Sequence, residues 1–302
     1  MTGASTPRLV ATDLDGTLLG PDGTVSERTR ATLRAVEESG IEIVFVTARP
    51  PRWLPGLAHC VGGHGRVVCL GGAAVWDLAT GAALEVDGFA DQELRGLVAD
   101  LRAAVPDVAL AFERTEGPAF DPWFPRDEKG LPETVHAVPV EETLPDGGTA
   151  ATLGTPVGKL LAVRPRVAGS TRPGDVQQGG DVQRGGSARE DAQEAFFAAV
   201  RSAVGGRAHL AFSGAAGLAE LLAPHVTKDA ALARWCARRG VAAADVWAFG
   251  DMPNDVPMLR WAGRGHAVAN AHPDVLAEAD AVVGHHADDG VAGALEALLT
   301  RA

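Results

Sequence analysis

The sequence predicts an α/β protein, with a doubly wound, Rossmann-like parallel-sheet core interrupted by a second module of α+β type. Three observations predict it. Apolar, β-branched runs such as "IEIVFVT" are too continuous for a half-exposed strand and read as strands buried on both faces. These runs alternate with helical stripes over the first ninety residues and again over the last eighty. The length, 302 residues, exceeds the size at which a single hydrophobic core usually stops growing, so two domains are expected.

The elements follow in order. "RLVAT" is a short apolar strand that ends at Asp13. In "VSERTRATLRAVEESG", Ser26 is a candidate N-cap, Leu33 and Val36 lie on the apolar stripe, and Gly40 suits the position after the last turn. "IEIVFVT" and "RVVCL" are the next two buried strands, and "AAVWDLATGAAL" reads as a hairpin around Thr80-Gly81. In the C-terminal part, the helix "KDAALARWCARRG" precedes the strand "VWAFG". The segments "VPMLRWAG", "GHAVAN", "PDVLAEA", "AVVG" and "VAGALEALLTRA" continue the alternation.

The middle differs. "DQELRGLVADLRAAV" is an amphipathic helix, and "VALAFER", "VGKLLAVRP", "AHLAFSG" and "GLAELLA" read as strands. The helix "EDAQEAFFAAVRSAV" falls between the second and third of these. The expected division is a core from residues 1–83 and 224–302, with an inserted module at 84–223. Within the module, residues 166–190 are polar and glycine-rich and carry the near-repeat "DVQQGG"/"DVQRGG". With no hydrophobic period, this stretch is expected to be a disordered loop.

A formal net charge of −12 argues against binding nucleic acid or an anionic membrane through the general field. A small anionic substrate stays open where a few cations converge. Cys60, Cys69 and Cys236 are too few and too scattered for a disulfide framework or a zinc site, and read as thiols of a reducing compartment. The first residues lack an apolar signal region and no window reaches membrane-spanning length, so the cytoplasm is the expected location.

The chemistry concentrates in four short stretches. In "DLDGT", Asp13 and Asp15 stand two apart at a strand end, where alternate residues point to one side. Open α/β sheets bind ligands beyond that edge. Two adjacent carboxylates repel, so the pair needs a cation or a shared proton. A calcium loop counted from Asp13 would need glycine at position six and glutamate at position twelve, where Leu18 and Thr24 stand. A plain Asp-Gly turn remains the alternative. In "AFGDMPNDVPML", a second strand ends at Asp251, followed by Asn254 and Asp255. Carboxylates from two strand ends suit Mg²⁺, whereas Asn254 or Asp255 alone could merely cap the next helix. Thr47 in "VFVTARP" could hold a phosphate oxygen or be structural. Lys228 in "PHVTKDAAL" starts a helix, where the dipole does not favour it, so it is a solvated lysine or a partner for the carboxylates.

These four pieces in this order resemble the haloacid dehalogenase superfamily, and the arrangement is most similar to its Cof-type subfamily, with a C2-type cap between the second and third motifs. The "GGAAV" hairpin and the tail "AVANAHPDVLAEADAVV…DDGVAGAL" share the resemblance. The resemblance implies an Mg²⁺-dependent phosphatase for a small phosphorylated metabolite, with a sugar phosphate as the favoured guess. It implies Asp13 as the nucleophile of an aspartyl-phosphate and Asp15 as acid and base. It gives Thr47 and Lys228 to the phosphoryl group, and Mg²⁺ to Asp13, Asp251 and the carbonyl of Asp15. Asn254 and Asp255 become supports, and the cap would close over the leaving group and exclude water. Two positions depart from the subfamily pattern: Gly71 replaces its asparagine, and Ala48 replaces the glycine of Thr-Gly-Arg. Arg114, Arg126, Lys129 and Lys159 are cations of the inserted module that could reach a substrate or simply face solvent. A phosphomutase, or a non-catalytic binding module on the same fold, are the alternative functions; a module that had lost catalysis would be expected to lack Asp13, Asp15 or Lys228.

Overall fold

The computed structural model describes residues 6–57, 65–125, 137–144, 156–164, 182–211 and 217–300, with the backbone alone for 182–190. The first strand, β1 (Leu9–Thr12), leads through an irregular turn to α1 (Glu27–Glu38). The Ser26 side chain accepts a hydrogen bond from the Thr29 N–H and so caps α1, as its position in the sequence predicts. Then come β2 (Glu42–Val46), β3 (Arg66–Cys69), β4 (Ala74–Asp77) and β5 (Ala82–Val86). The middle of the chain holds α2 (Asp91–Ala104), β6 (Ala109–Glu113), β7 (Pro118–Phe120), β8 (Lys159–Val163), α3 (Val182–Val204), β9 (His209–Ala211) and β10 (Leu218–Leu222). The chain ends with α4 (Lys228–Arg239), β11 (Val246–Gly250), α5 (Val256–Trp261), β12 (Arg264–Val268), α6 (Pro273–Glu278), β13 (Ala281–Val283) and α7 (Gly290–Leu299).

Two compact units emerge: residues 1–88, 115–117 and 225–302, and residues 89–114 with 118–224. The first unit contains an eight-stranded sheet in the order β13-β12-β11-β1-β2-β3-β4-β5. Pairing is parallel from β13 to β3 and antiparallel for β4 and β5. The continuous apolar runs are explained by burial on both faces: Ile43, Val44, Phe45 and Val46 of β2 are all fully buried. The second unit contains an antiparallel sheet in the order β7-β6-β8-β10-β9. Ala109, Ala111, Phe120, Phe124, Leu161 and Val163 form a core within it.

Three details differ from what the sequence predicts. Helix α3 begins at Val182, so residues 182–190 of the expected loop are helical, while 166–181 lie outside the described residues. Extending an existing helix needs no new nucleus, so two glycines at roughly 1 kcal/mol each do not forbid it. Strand β7 has only three residues and begins at a proline, too little for a sequence signal; the proline sits on an edge strand, where its missing N–H is tolerated. Lys159 is neither solvated nor open to a ligand here. It is buried, with its Nζ 2.5 Å from Glu220 Oε2. Arg126 and Lys129 lie outside the described residues, as does Cys60, whereas Cys69 and Cys236 are buried thiols not joined in a disulfide.

Because β2 is closed on both faces, truncating its largest side chain has no route to relief. We expect Phe45→Ala to lower unfolding free energy by about 3–5 kcal/mol, measured by chemical denaturation.

Candidate active site

The sheet register places three of the four motifs side by side. Thr12 of β1 lies opposite Phe249 of β11 and Phe45 of β2. The next residues along are therefore Asp13, a short loop position after β11 at Asp251, and Thr47 after β2. All three stand at the C-terminal edge of adjacent parallel strands, where ligands of open α/β sheets bind. The Asp13 N–H donates to the Phe249 carbonyl at 3.0 Å, which continues the sheet by one bond and fixes the first carboxylate.

Lys228 closes the cluster from α4, whose N-cap is Thr227. Its side chain is 4% exposed, and its Nζ donates to Asp13 Oδ1 and to Asp255 Oδ1, both at 2.7 Å. It is not the solvated lysine that its helix position alone permits. Burial works against its charge, but Asp13 and Asp255 outweigh that and hold the ammonium above its ordinary range. The other oxygen of Asp255 accepts from the backbone N–H groups of Asp251 (3.2 Å) and Met252 (3.1 Å). Asp255 therefore braces the loop after β11 and makes no side-chain cap on α5. Asp251 Oδ1 accepts from Thr17 Oγ1 at 2.7 Å.

One lysine does not balance these acids. Burial pushes the Asp13 carboxyl up to about 8, with Lys228 opposing and Asp255 and Asp251 adding to the rise. Burial, opposed by the Thr17 hydrogen bond and reinforced by Asp255, pushes Asp251 up to about 6. The cluster is short of positive charge. Asp13, Asp251 and Asp255 each offer a carboxylate oxygen, all within 4.8 Å of one another. Both oxygens of Asp255 are already engaged, whereas Asp13 and Asp251 each keep one with no hydrogen bond among the described residues. That hard, all-oxygen donor set fits a divalent cation, for which Asp13 and Asp251 are the candidate ligands.

Asp15 is placed differently. Its carboxylate is not in the cluster but 59% exposed, and both of its oxygens are held by Arg49 in a two-pronged contact (Nε to Oδ2 2.8 Å, Nη2 to Oδ1 2.5 Å). The sequence places Arg49 in the second motif without marking this pairing. The chain turns out of β1 at Gly16, where φ is +80° and a Cβ would lie 2.4 Å from Asp251 Oδ2. Glycine there is what lets the two acidic loops meet. Thr47 is buried, and its Oγ1 accepts from the Arg49 N–H at 3.1 Å. Gly71 N–H donates to the Thr47 carbonyl, and its φ of +68° is a left-handed conformation open chiefly to glycine and asparagine. The departure from the subfamily's asparagine thus preserves the backbone. Asn254 has a buried Oδ1 with no partner among the described residues.

Two residues outside the four motifs also support the site. Asn270 Nδ2 donates to the Gly16 carbonyl at 2.7 Å, and Asn270 Oδ1 accepts from the His286 N–H at 3.0 Å. His286 Nδ1 lies 2.8 Å from the Leu19 carbonyl. This pair grips the turn that carries Asp15 and Gly16. The tail "AVANA" contains the asparagine, but nothing in the sequence links it to a turn 254 residues away.

A family model described as haloacid dehalogenase-like hydrolase matches residues 10–117 and 187–295. The chain belongs to that family, as a Cof-type phosphatase. The putative phosphatase YxeH of Bacillus subtilis is 27% identical over 97% of this chain and 98% of its own length. An HMP-PP phosphatase of Escherichia coli O157:H7 is 28% identical over 92% of this chain and 90% of its own. An HMP-PP phosphatase of Cronobacter sakazakii is 42% identical, but over 30% of this chain and 33% of its own length. The phosphatase BT1666 of Bacteroides thetaiotaomicron shares the fold, with TM-score 0.71 and 22% identity over 99% of this chain and 97% of its own. The subclass IIB sugar phosphatase BT4131 does so with TM-score 0.69 and 17% identity over 96% and 98%. Among the described residues, no helix of this haloacid dehalogenase-like hydrolase is long and apolar enough to cross a membrane.

The raised acids set a pH dependence. A carboxyl whose folded pKa, about 8 for Asp13, exceeds its unfolded value of 3.8 binds more protons in the folded state. Stability of the metal-free protein therefore falls as pH rises through that window. In the presence of a chelator, Asp13→Asn removes this cost. Its melting temperature relative to wild type is expected to climb from pH 5 to pH 8, as read by differential scanning calorimetry.

Proposed function

We propose that this phosphatase hydrolyses a small phosphorylated metabolite through an aspartyl-phosphate on Asp13. The observation that carries the reading is the buried Lys228 ammonium bonded at once to Asp13 and Asp255, at the edge where three parallel strands end. The Asp13 oxygen held by Lys228 attacks phosphorus, the other being left for the metal, and the bond from phosphorus to the leaving oxygen breaks. Asp15 gives its proton to that oxygen. The Asp15 carboxylate then takes a proton from water as the water oxygen attacks phosphorus, releasing inorganic phosphate and restoring Asp13. Thr47 and Lys228 orient the phosphoryl oxygens, while Asp255 holds Lys228 and the loop after β11, with Asn254 beside it. The Asp15 carbonyl joins Asp13 and Asp251 as a metal ligand. Mg²⁺ bound there would neutralise charge on the transferring group.

Because Arg49 occupies both oxygens of Asp15, the acid step requires Asp15 to give up at least one of those bonds. We further propose that the second unit supplies the cap. A sugar phosphate is the first substrate class to try: BT4131 is named as a sugar phosphatase, and the family resemblance favours the same class.

Asp13→Asn is expected to lower kcat for para-nitrophenyl phosphate by about four orders of magnitude or more. Chelation should abolish activity and Mg²⁺ restore it. Near-wild-type turnover by Asp13→Asn in a phosphate-release assay would end this mechanism. A milder loss is expected of Asp15→Asn, roughly 10²–10⁴-fold, as for removal of a general acid.

A further inference from the structure

Next to the Arg49–Asp15 pair, the first unit contains a cleft of about 490 Å³. That is the size of a small-molecule site. Its walls are the turn before α1 (Gly23, Thr24), Arg30 of α1, Arg49, and the short helical turns after β2 that carry Trp53 and Leu57. Among the described residues no acidic side chain lines it, in a chain of net charge −12.

The walls are preformed. Asp22 Oδ1 accepts from both the N–H and the hydroxyl of Thr24, and the Gly20 N–H donates to the Thr24 carbonyl. Trp53 and Leu54 donate their N–H groups to Pro50 and Pro51. The Trp53 ring is 43% exposed, with the Arg52 guanidinium 4.8 Å from its centroid. A large, flat, exposed ring fixed at the rim of a concave site is a surface for a ligand rather than a core element.

The charges are arranged for an anion. The Arg30 guanidinium has no ion pair or hydrogen bond among the described residues, in contrast to Arg28, which pairs with Glu296 two positions earlier on the same helix. Arg49 connects the cleft to the reaction, because the same guanidinium that lines it holds Asp15. A leaving oxygen protonated by Asp15 must emerge beside Arg49, and the bonds Asp15 gives up free Arg49 donors for another acceptor.

We infer that this cleft is a leaving-group subsite, selecting phosphoesters whose leaving group carries a second anionic group on a flat ring. Arg30 and the released Arg49 bind the second anion, a phosphate or carboxylate, and Trp53 packs on the ring. The inference deepens the proposed function and rests on Asp15 as the group beside the leaving oxygen.

The test compares phenyl phosphate with 4-carboxyphenyl phosphate, using the full chain with Mg²⁺. Wild type should favour the carboxylated ester in KM. Arg30→Gln should raise its KM about tenfold or more relative to that of phenyl phosphate, the size expected of a lost charge-assisted contact. Arg30→Lys should retain most of the preference, which separates lost charge from misfolding. Trp53→Ala should erode discrimination of phenyl phosphate over glycerol 1-phosphate. If Arg30→Gln shifts both aryl esters alike, or neither, the subsite is refuted.

A second arm reads binding alone, by calorimetry with 4-carboxyphenyl phosphate and the Asp13→Asn protein. Adding Arg30→Gln should weaken binding about tenfold. If wild type hydrolyses none of the esters but that loss is seen, the proposed reaction fails and the cleft stands. If hydrolysis is normal and binding is indifferent to Arg30, the cleft fails and the reaction stands.

Discussion

A single buried ammonium organises the acidic cluster of this protein's candidate active site. Lys228 leaves solvent almost completely and is bonded to two carboxylates that come from different loops, Asp13 after β1 and Asp255 after β11. Bonds of this charged kind contribute about 1.5–3 kcal/mol each, and removal of either partner would strand a buried charge. The constraint propagates outward. While one oxygen of Asp255 holds Lys228, its other oxygen is tied to the backbone of Asp251 and Met252. Gly72 is required where α4 begins, since a Cβ there would sit 2.2 Å from the Thr227 carbonyl. Even so, the acids outnumber the cation, and burial, reinforced by the neighbouring Asp255, holds the Asp13 and Asp251 carboxyls above their ordinary range. A divalent cation and a phosphoryl group would have complementary charges to supply and to neutralise there.

Much of this was legible in the sequence, for a physical reason. Strands buried on both faces must be apolar without interruption, so a carboxylate directly after such a run marks the strand's end. "RLVAT" before Asp13 and "VWAFG" before Asp251 announce both the sheet and the edge where chemistry is possible. Ser26 and Gly40 bracket α1 through local hydrogen bonding and positive φ, which depend on few distant residues. What escaped was long-range and polar. The Arg49–Asp15 pair, the Asn270 amide on the Gly16 carbonyl and the buried Lys159–Glu220 pair each join residues far apart in sequence. Composition and periodicity carry no information about such meetings, since each residue alone looks like ordinary surface polarity.

The arrangement separates two jobs. In the proposed reaction the strand-end loops hold the phosphoryl chemistry, and every support described for them comes from the first unit. In the same proposal, discrimination among leaving groups falls to walls that do not touch phosphorus. At Gly71 the departure from the subfamily pattern retains the left-handed backbone that donates to the Thr47 carbonyl. Arg49 stands at the junction, since it braces Asp15 before the reaction and faces the cleft that the leaving group would enter.

Asp13 is the proposed nucleophile toward phosphorus, with Lys228 and Asp255 holding it in place. That role is tested most directly by quenching turnover with borohydride, which reduces an acyl phosphate to homoserine, and locating the modified residue by peptide mass spectrometry. The account predicts homoserine at position 13, dependent on substrate. Modification at Asp15 or Asp251 instead, or none while phosphate is still being released, would contradict it.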